Sequence, residues 1–328
     1  MPQMPIGRRT ALALMGAAGY GFHARPGGLT GGGQETLMSI LEGRDFRGRI
    51  AAADVERLQK TEGRTVEQIM SDLIPVARTF SRPPISDFHV GAVVRSTNGD
   101  LFVGANIEIP GQVLGCSVHA EQAASSQAYM SGAAGIDAVA VGGAPCGHCR
   151  QFLNEMAPDG SIRVLVPGRE PMPLGSLLPF AFGPSALGFN RGALPVQSVN
   201  IALKGTEDDP LTSAALSAAC RSYAPYSKAH SGAAVRLTDG DVHSGAYIEN
   251  VAFNPSLSPL QVALVSVLLS RHELNRIEDV VLVELDGAVI SQVSMTEAVV
   301  RSVCPKGRLR RVVAHMDLSG GVSQGAVK

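Results

Sequence analysis

The sequence predicts an α/β fold of three layers, helices on both faces of a sheet, present twice in tandem with a degenerate second copy. Three observations predict it. Apolar, β-rich runs alternate with segments of helical periodicity from residue 35 onward. The chain repeats itself at a fixed offset. Its 328 residues are about twice the length of a typical single domain.

Taken in order, Leu37, Ile40 and Leu41 share one helical face, and Val66, Ile69, Met70, Leu73 and Ile74 recur at helical spacing, so residues 35–75 read as a helical leader. Arg82-Pro83-Pro84 breaks the pattern. Residues 88–95 read as a strand, Asn98-Gly99 as a hairpin turn and residues 101–104 as the return strand. A helix over 119–129, a buried strand over 136–141, a helix over 146–156 and a strand over 162–166 complete a first copy at 76–187. A Pro- and Gly-rich run over 167–194 leads into a linker at 188–200, and the second copy occupies 201–328. Within it, residues 262–269 are too short to span a membrane and read as a buried core helix.

The repeat is direct. At an offset of 141, the 25 positions from Pro84 to Glu108 give 14 identities with Pro225 to Glu249 and no gap, where about two would arise by chance. His89, Gly91, Ala92, Gly99, Asp100 and Gly104 fall on His230, Gly232, Ala233, Gly240, Asp241 and Gly245.

Composition excludes several function classes. A net charge of −1 leaves no broad basic field for a nucleic-acid backbone, and 5% aromatic residues without Trp do not build a base-stacking surface. Five cysteines, two of them in Pro145-Cys146-Gly147-His148-Cys149, suit a reduced metal-binding pair better than a disulfide framework. The first 34 residues read either as a tail or, through Arg8-Arg9 and the small apolar stretch over 11–18, as a twin-arginine-type export signal.

Past Glu108 the copies part chemically. The first carries His119-Ala120-Glu121 and the Cys146-x-x-Cys149 pair, and the same offset sets Leu260, Val262, Gly287 and Ile290 opposite His119, Glu121, Cys146 and Cys149. One neutral imidazole and two thiolates would hold a Zn²⁺ without net charge and leave a fourth position for water. Both ligand groups open predicted helices, whose N-termini favour thiolate. Glu121, two residues past a helical ligand, suits a proton shuttle. A competing arrangement closes the metal with Cys116, making a structural Cys₃His site. His148 reads as a helix-face residue that is neither ligand nor base. Arg150 reads either as a donor to a thiolate or as a surface ion pair, and Cys220 and Cys304 as buried thiols.

The H-x-E and P-C-x-x-C pair resembles the zinc-dependent deaminases of nucleosides and nucleobases. The whole chain from about residue 37 to 309 is similar to two-domain, homodimeric cytidine deaminases. The resemblance rests on Phe88-His-Val-Gly-Ala92, Gly104-Ala-Asn106-Ile-Glu108, His119-Ala-Glu-Gln122, residues 145–151 and Phe253-Asn-Pro255. It implies one Zn²⁺ per chain, held by His119, Cys146 and Cys149, with Glu121 as the proton shuttle for hydrolytic deamination of cytidine and deoxycytidine. It implies that Phe88 packs on the pyrimidine, that Asn106 and Glu108 bond the ribose hydroxyls, and that Ala120 also contacts substrate. Glu108 recurs as Glu249, so part of its role is expected to be structural. The second copy is expected to cover the partner subunit's active site, with Phe253 as a contact. A small nucleoside substrate, no nucleic acid, no membrane and a cytoplasmic location complete the expectation, with export as the alternative.

Overall fold

In the computed structural model the described residues are 46–205 and 209–317, together with 37, 39–41 and 43. The first half runs β1 (Arg49–Ile50), α1 (Ala52–Glu62), α2 (Val66–Arg78), β2 (Gly91–Ser96), β3 (Leu101–Ala105), α3 (Ala120–Met130), β4 (Ile136–Val141), α4 (Gly147–Met156), β5 (Arg163–Leu165), β6 (Met172–Pro173) and the single turn α5 (Leu174–Leu177). The second runs β7 (Ile201–Leu203), α6 (Pro210–Cys220), β8 (Ser231–Leu237), β9 (Val242–Ala246), α7 (Pro259–Leu269), β10 (Ile277–Leu285), α8 (Val293–Val303) and β11 (Arg308–Met316). Among the described residues these strands make two sheets, β1-β3-β2-β4-β5-β6 and β7-β11-β10-β8-β9. The central order is the same in both: β3-β2-β4-β5 and β9-β8-β10-β11, antiparallel except for the last pair.

Two glycines per copy explain the three layers. Gly91 and Gly104 lie on β2 and β3, with Gly91 opposite Ala105 and Gly104 opposite Ala92, so the two glycines face opposite sides of the sheet. A Cβ on Gly91 would stand 2.5 Å from Ile74 O of α2, and one on Gly104 would stand 2.1 Å from Ala124 N of α3. Only glycine admits helix backbone that close. In the second copy Gly232 meets α6 at Ala219 N (2.2 Å) and Gly245 meets α7 at Pro259 O (2.3 Å). These identities in the repeat are packing requirements.

The two copies join face to face through α3 and α7. Gln122 Nε2 donates to Pro255 O (2.9 Å), and Gln261 Nε2 donates to Cys116 O (3.0 Å). Each glutamine stands in the first turn of its own helix and reaches the loop that precedes the other helix. The interface is thus an internal pseudo-dyad. A continuous apolar core runs across it, including Tyr129, Phe102, Ile107, Leu260 and Val267.

Several expectations change. The residues expected as a leader over 35–75 include α1 and most of α2, and α2 runs to Arg78 and is one of the two helix layers of the first sheet. Residues 88–90 are not strand, because the Asn106 side chain takes their ladder positions: Val90 N donates to Asn106 Oδ1 and Asn106 Nδ2 donates to Phe88 O, both at 2.9 Å. The run over 167–194 is tied down by β6, α5 and the bond from Ala193 N to Glu155 O (2.8 Å). Residues 1–34 lie outside the described residues. No helix among the described residues is long and apolar enough to cross a membrane.

The offset of 141 also does not hold throughout. The bridge pairs Ile107↔Val118 and Ile248↔Leu257 place the equivalent residues eleven apart in the first copy and nine in the second. Ser258 therefore stands in the place of His119, each capping its helix, and Leu260 in that of Glu121. The loop before α8 is longer than that before α4, which puts Gln292 in the place of Cys146 and Met295 in that of Cys149. The partners Leu260, Val262, Gly287 and Ile290 expected at constant offset are replaced by this set. The expectation that the second copy has lost every ligand stands.

Candidate active site

The N-termini of α3 and α4 converge at one edge of the first sheet. His119 is the N-cap of α3 and Cys146 the N-cap of α4, both in extended backbone, and Cys149 lies in the first turn of α4. His119 Nδ1 is 3.5 Å from Cys146 Sγ and 3.2 Å from Cys149 Sγ, and the two sulfurs are 3.6 Å apart. A tetrahedral zinc with ordinary bond lengths needs S–N and S–S edges of about 3.6 and 3.8 Å. The three edges come within about 0.4 Å of those values, each on the short side. The donor set also has the right chemistry. Hydrogen bonds from Cys149 and His119 hold the Cys146 thiol down at about 3, while the same bond from the other side and burial push Cys149 up. The bond to Cys146 raises His119. Thiolate, thiol and imidazole thus share protons that a divalent ion would displace.

Glu121 stands in the first turn of α3, 4% exposed, and burial pushes its carboxyl up from the ordinary glutamate range. A buried carboxyl beside a donor cluster, able to hold a proton nearer neutral pH, has the properties of a proton carrier.

Cys116 does not join the cluster. It is buried among apolar residues, and the group of ligand atoms within 4.8 Å of one another is His119, Cys146 and Cys149 alone at this site. The closed Cys₃His arrangement is therefore excluded, and one position stays open. Arg150 makes neither of its two expected contacts. Its Nε donates to Pro145 O and its Nη1 to Leu177 O, both at 2.8 Å, which fastens the loop carrying Cys146 to α5. His148 is half-buried against His119, ring centres 5.2 Å apart. All five cysteines are free, and Cys220, expected as buried, is half-buried beside Ile201 O.

Of the remaining expected residues, Asn106 and Glu108 flank Ile107, which bridges Val118 just before His119, and Phe88 is tied to Asn106. Phe88 is 69% exposed and follows Asp87, which is in the left-handed region (φ 54°). Asn106, at the end of β3, is nearly buried and holds residues 88–90 as described. Glu108 accepts from Ile85 N (2.8 Å), Ser86 N (2.9 Å) and Ser86 Oγ (2.5 Å), and the turn's donors draw its carboxyl down although burial opposes them. Glu249 accepts in the same way from Tyr226 N and Ser227 N, so this turn-holding role is common to both copies. Ala120 opens α3 and is buried against Gly104. Phe253 lies far along the chain, 63% exposed and in the left-handed region (φ 62°).

Sequence reasoning missed Glu155. Fully buried on α4, it accepts from Tyr223 Oη (2.7 Å), Tyr226 Oη (2.5 Å) and Val251 N (2.9 Å) of the second copy. It joins the helix of the metal ligands to the other domain. Its sequence signal is a carboxylate at an apolar helix position, Phe152, Leu153 and Met156 being its neighbours.

The family described as "Cytidine and deoxycytidylate deaminase zinc-binding region" matches residues 64–164 and again residues 174–297. The chain is 40% identical over 268 residues to a cytidine deaminase of Shewanella pealeana, covering 82% of this chain and 90% of that one. It is 40% identical over 271 residues to one of Vibrio atlanticus, with the same coverage. Among solved structures, a cytidine deaminase from Mycobacterium tuberculosis is similar at 32% identity and a TM-score of 0.32, over 35% of this chain and 95% of that chain.

Proposed function

The chain belongs to the cytidine and deoxycytidylate deaminase family, and from that premise we propose that it is a zinc-dependent hydrolase that converts cytidine and deoxycytidine to uridine and deoxyuridine with release of ammonia. The observation that carries this is the open three-donor cluster of His119, Cys146 and Cys149 beside a buried Glu121. When bound there, zinc supplies a Lewis acid that brings a water's pKa toward neutrality.

The chain's own groups do the rest. Glu121 takes the proton from the attacking water, passes it to N3 of the base as C4 becomes tetrahedral, and carries a second proton to the departing amine. Phe88 offers a ring face to the pyrimidine. Asn106 spends one amide hydrogen on Phe88 O, and among the described residues Glu108 Oε1 accepts only from Ser86 Oγ, so each keeps hydrogen-bonding capacity for a ribose hydroxyl. Ala120 contributes the small surface under the base.

We also assign a homodimer with a cytoplasmic role in pyrimidine salvage. The exposed Phe88, Val113, Leu114 and Phe253 favour a second copy that covers the site and shields it from water. One zinc per chain is held tightly. The test is turnover of cytidine, deoxycytidine, cytidine monophosphate and adenosine together with the mass in solution. Cytidine deamination by a dimer is the expected result, and preference for adenosine or the monophosphate overturns the substrate assignment.

A further inference from the structure

A second group of ligand atoms lies at the opposite end of the second sheet from its degenerate site. Asp241 stands at the β8–β9 hairpin, His243 on β9 and His272 just past α7, with one ligand atom from each within 4.8 Å of the others. His243 Nε2 is 3.4 Å from Asp241 Oδ2, and His272 Nε2 is 3.5 Å from the same oxygen. Bonds of the length zinc makes to imidazole and carboxylate give a tetrahedral edge of about 3.3 Å.

His243 itself requires an explanation. Its side chain is 1% exposed, yet its Nε2 makes no well-formed hydrogen bond among the described residues, only a loose 3.4 Å approach to Asp241 Oδ2. The first copy has Phe102 at this position, fully inside the core, so imidazole has replaced a ring that packs without a polar atom. A buried nitrogen left unpaired is costly, and native structures place one there for a reason. Its other nitrogen, Nδ1, is 2.9 Å from Ser266 Oγ. With Nδ1–H donating to that hydroxyl, Nε2 carries a lone pair, 3.4 Å from Asp241 Oδ2. That is the arrangement of a metal-ligating histidine fixed through its second nitrogen. Asp100, the equivalent of Asp241, lacks both histidines and binds Arg49 and the N-terminus of α1 instead.

We infer that Asp241, His243 and His272 form a second, exchangeable site for a borderline transition-metal ion such as Zn²⁺ or Co²⁺. Two imidazole donors select such ions over Ca²⁺ or Mg²⁺. Exchangeability follows from the surrounding charge. Arg47 Nη2 lies 2.9 Å from Asp241 Oδ2, and Arg276 sits 3.0 Å from Asp239 Oδ2 and 3.3 Å from His272 Nδ1. These guanidiniums oppose a dication. His272 Nδ1 accepts from Arg276 Nη1, and ligation through Nε2 needs a proton on Nδ1, so this bond must break before an ion binds. The ion is therefore held more weakly than the catalytic zinc and is lost on desalting.

The test is equilibrium dialysis of the purified dimer against buffered Zn²⁺ or Co²⁺, with metal per chain counted by elemental analysis and cytidine deamination as the control for the first site. Wild type is expected to hold one equivalent after desalting and to reach two at saturation. His243→Phe, which restores the first copy's residue, and His272→Ala, a half-buried position that tolerates truncation, are each expected to stop at one with deamination retained. A wild type that never exceeds one equivalent overturns the site. So does a second equivalent that survives in His272→Ala, because the metal then lies elsewhere.

Discussion

The same pole of the two copies is built in opposite ways. In the first, α4 begins at Cys146, whose side chain makes no cap bond, and α3 begins at His119, so both helix ends present donors to one point in space. In the second, Ser258 caps α7 by accepting from Gln261 N (3.3 Å), and Glu284 accepts from Gln292 N and Ser291 Oγ at the start of α8 while pairing with Arg311 at 3.0 Å. Tyr247 replaces Asn106 and turns its hydroxyl to Glu249 (3.3 Å). Met295 and Leu260 pack into the core in place of Cys149 and Glu121. One scaffold, with the same strand order and the same glycine contacts, satisfies its helix ends internally in one copy and leaves them for a metal in the other. Chemistry here is a local exchange of donors at two helix termini, and the sheet is indifferent to it.

Breaking that contrast from the catalytic side has the largest effect. Glu121→Gln is expected to keep its zinc, measured as metal per chain, and to lower kcat for cytidine by roughly 10²–10⁴-fold or more, since only the proposed proton carrier is removed. The mirrored change Leu260→Met should leave kcat unaltered. Next comes the joint between the copies. Glu155→Ala leaves two tyrosine hydroxyls and Val251 N without their acceptor, at a cost of roughly 2–3 kcal/mol in denaturant unfolding.

The same residue sets a pH trend. Burial raises the Glu155 carboxyl in the folded state, against the pull of its three donors, so the unfolded chain gives up this proton first. Its contribution to stability is present below the ordinary glutamate value and is lost as pH rises through the folded value. Glu155→Gln should flatten that loss when unfolding is followed across the mildly acidic range. The smallest effects sharpen the pseudo-symmetry. Gln122→Ala and Gln261→Ala each remove one of two reciprocal bonds, and each should cost about 1 kcal/mol in the same unfolding measurement. Ser258→Ala removes a cap in the second copy and should cost about 1 kcal/mol without changing metal content or turnover.

Much of this was legible before any coordinates. The spacing of His119, Glu121, Cys146 and Cys149 requires two helix N-termini to meet, and they do, each helix starting within one residue of its expected position. The alternation of strands and helices gave the layers, because Gly91 and Gly104 recur as Gly232 and Gly245 and only glycine permits those contacts. The register past Glu108 was not legible. Identities fade there, and a shorter loop before Ser258 and a longer one before Gln292 shift the alignment without any residue-level signal. The three-residue delay of β2 was hidden too, since nothing in Phe88-His-Val shows that an amide from Asn106 will take the ladder's place. Partners far apart in sequence, such as Glu155 with Tyr223 and Tyr226, or His243 with His272, become visible only when the chain is folded.

The most direct measurement is cytidine deamination and tightly held zinc in Cys146→Ala/Cys149→Ala, with unfolding followed on the same preparation. Loss of both the zinc and the turnover from a chain that still unfolds cooperatively is the predicted result, because the proposed ligands and proton carrier all lie in the first copy. Turnover that survives in this variant would place chemistry in the second copy and contradict the account.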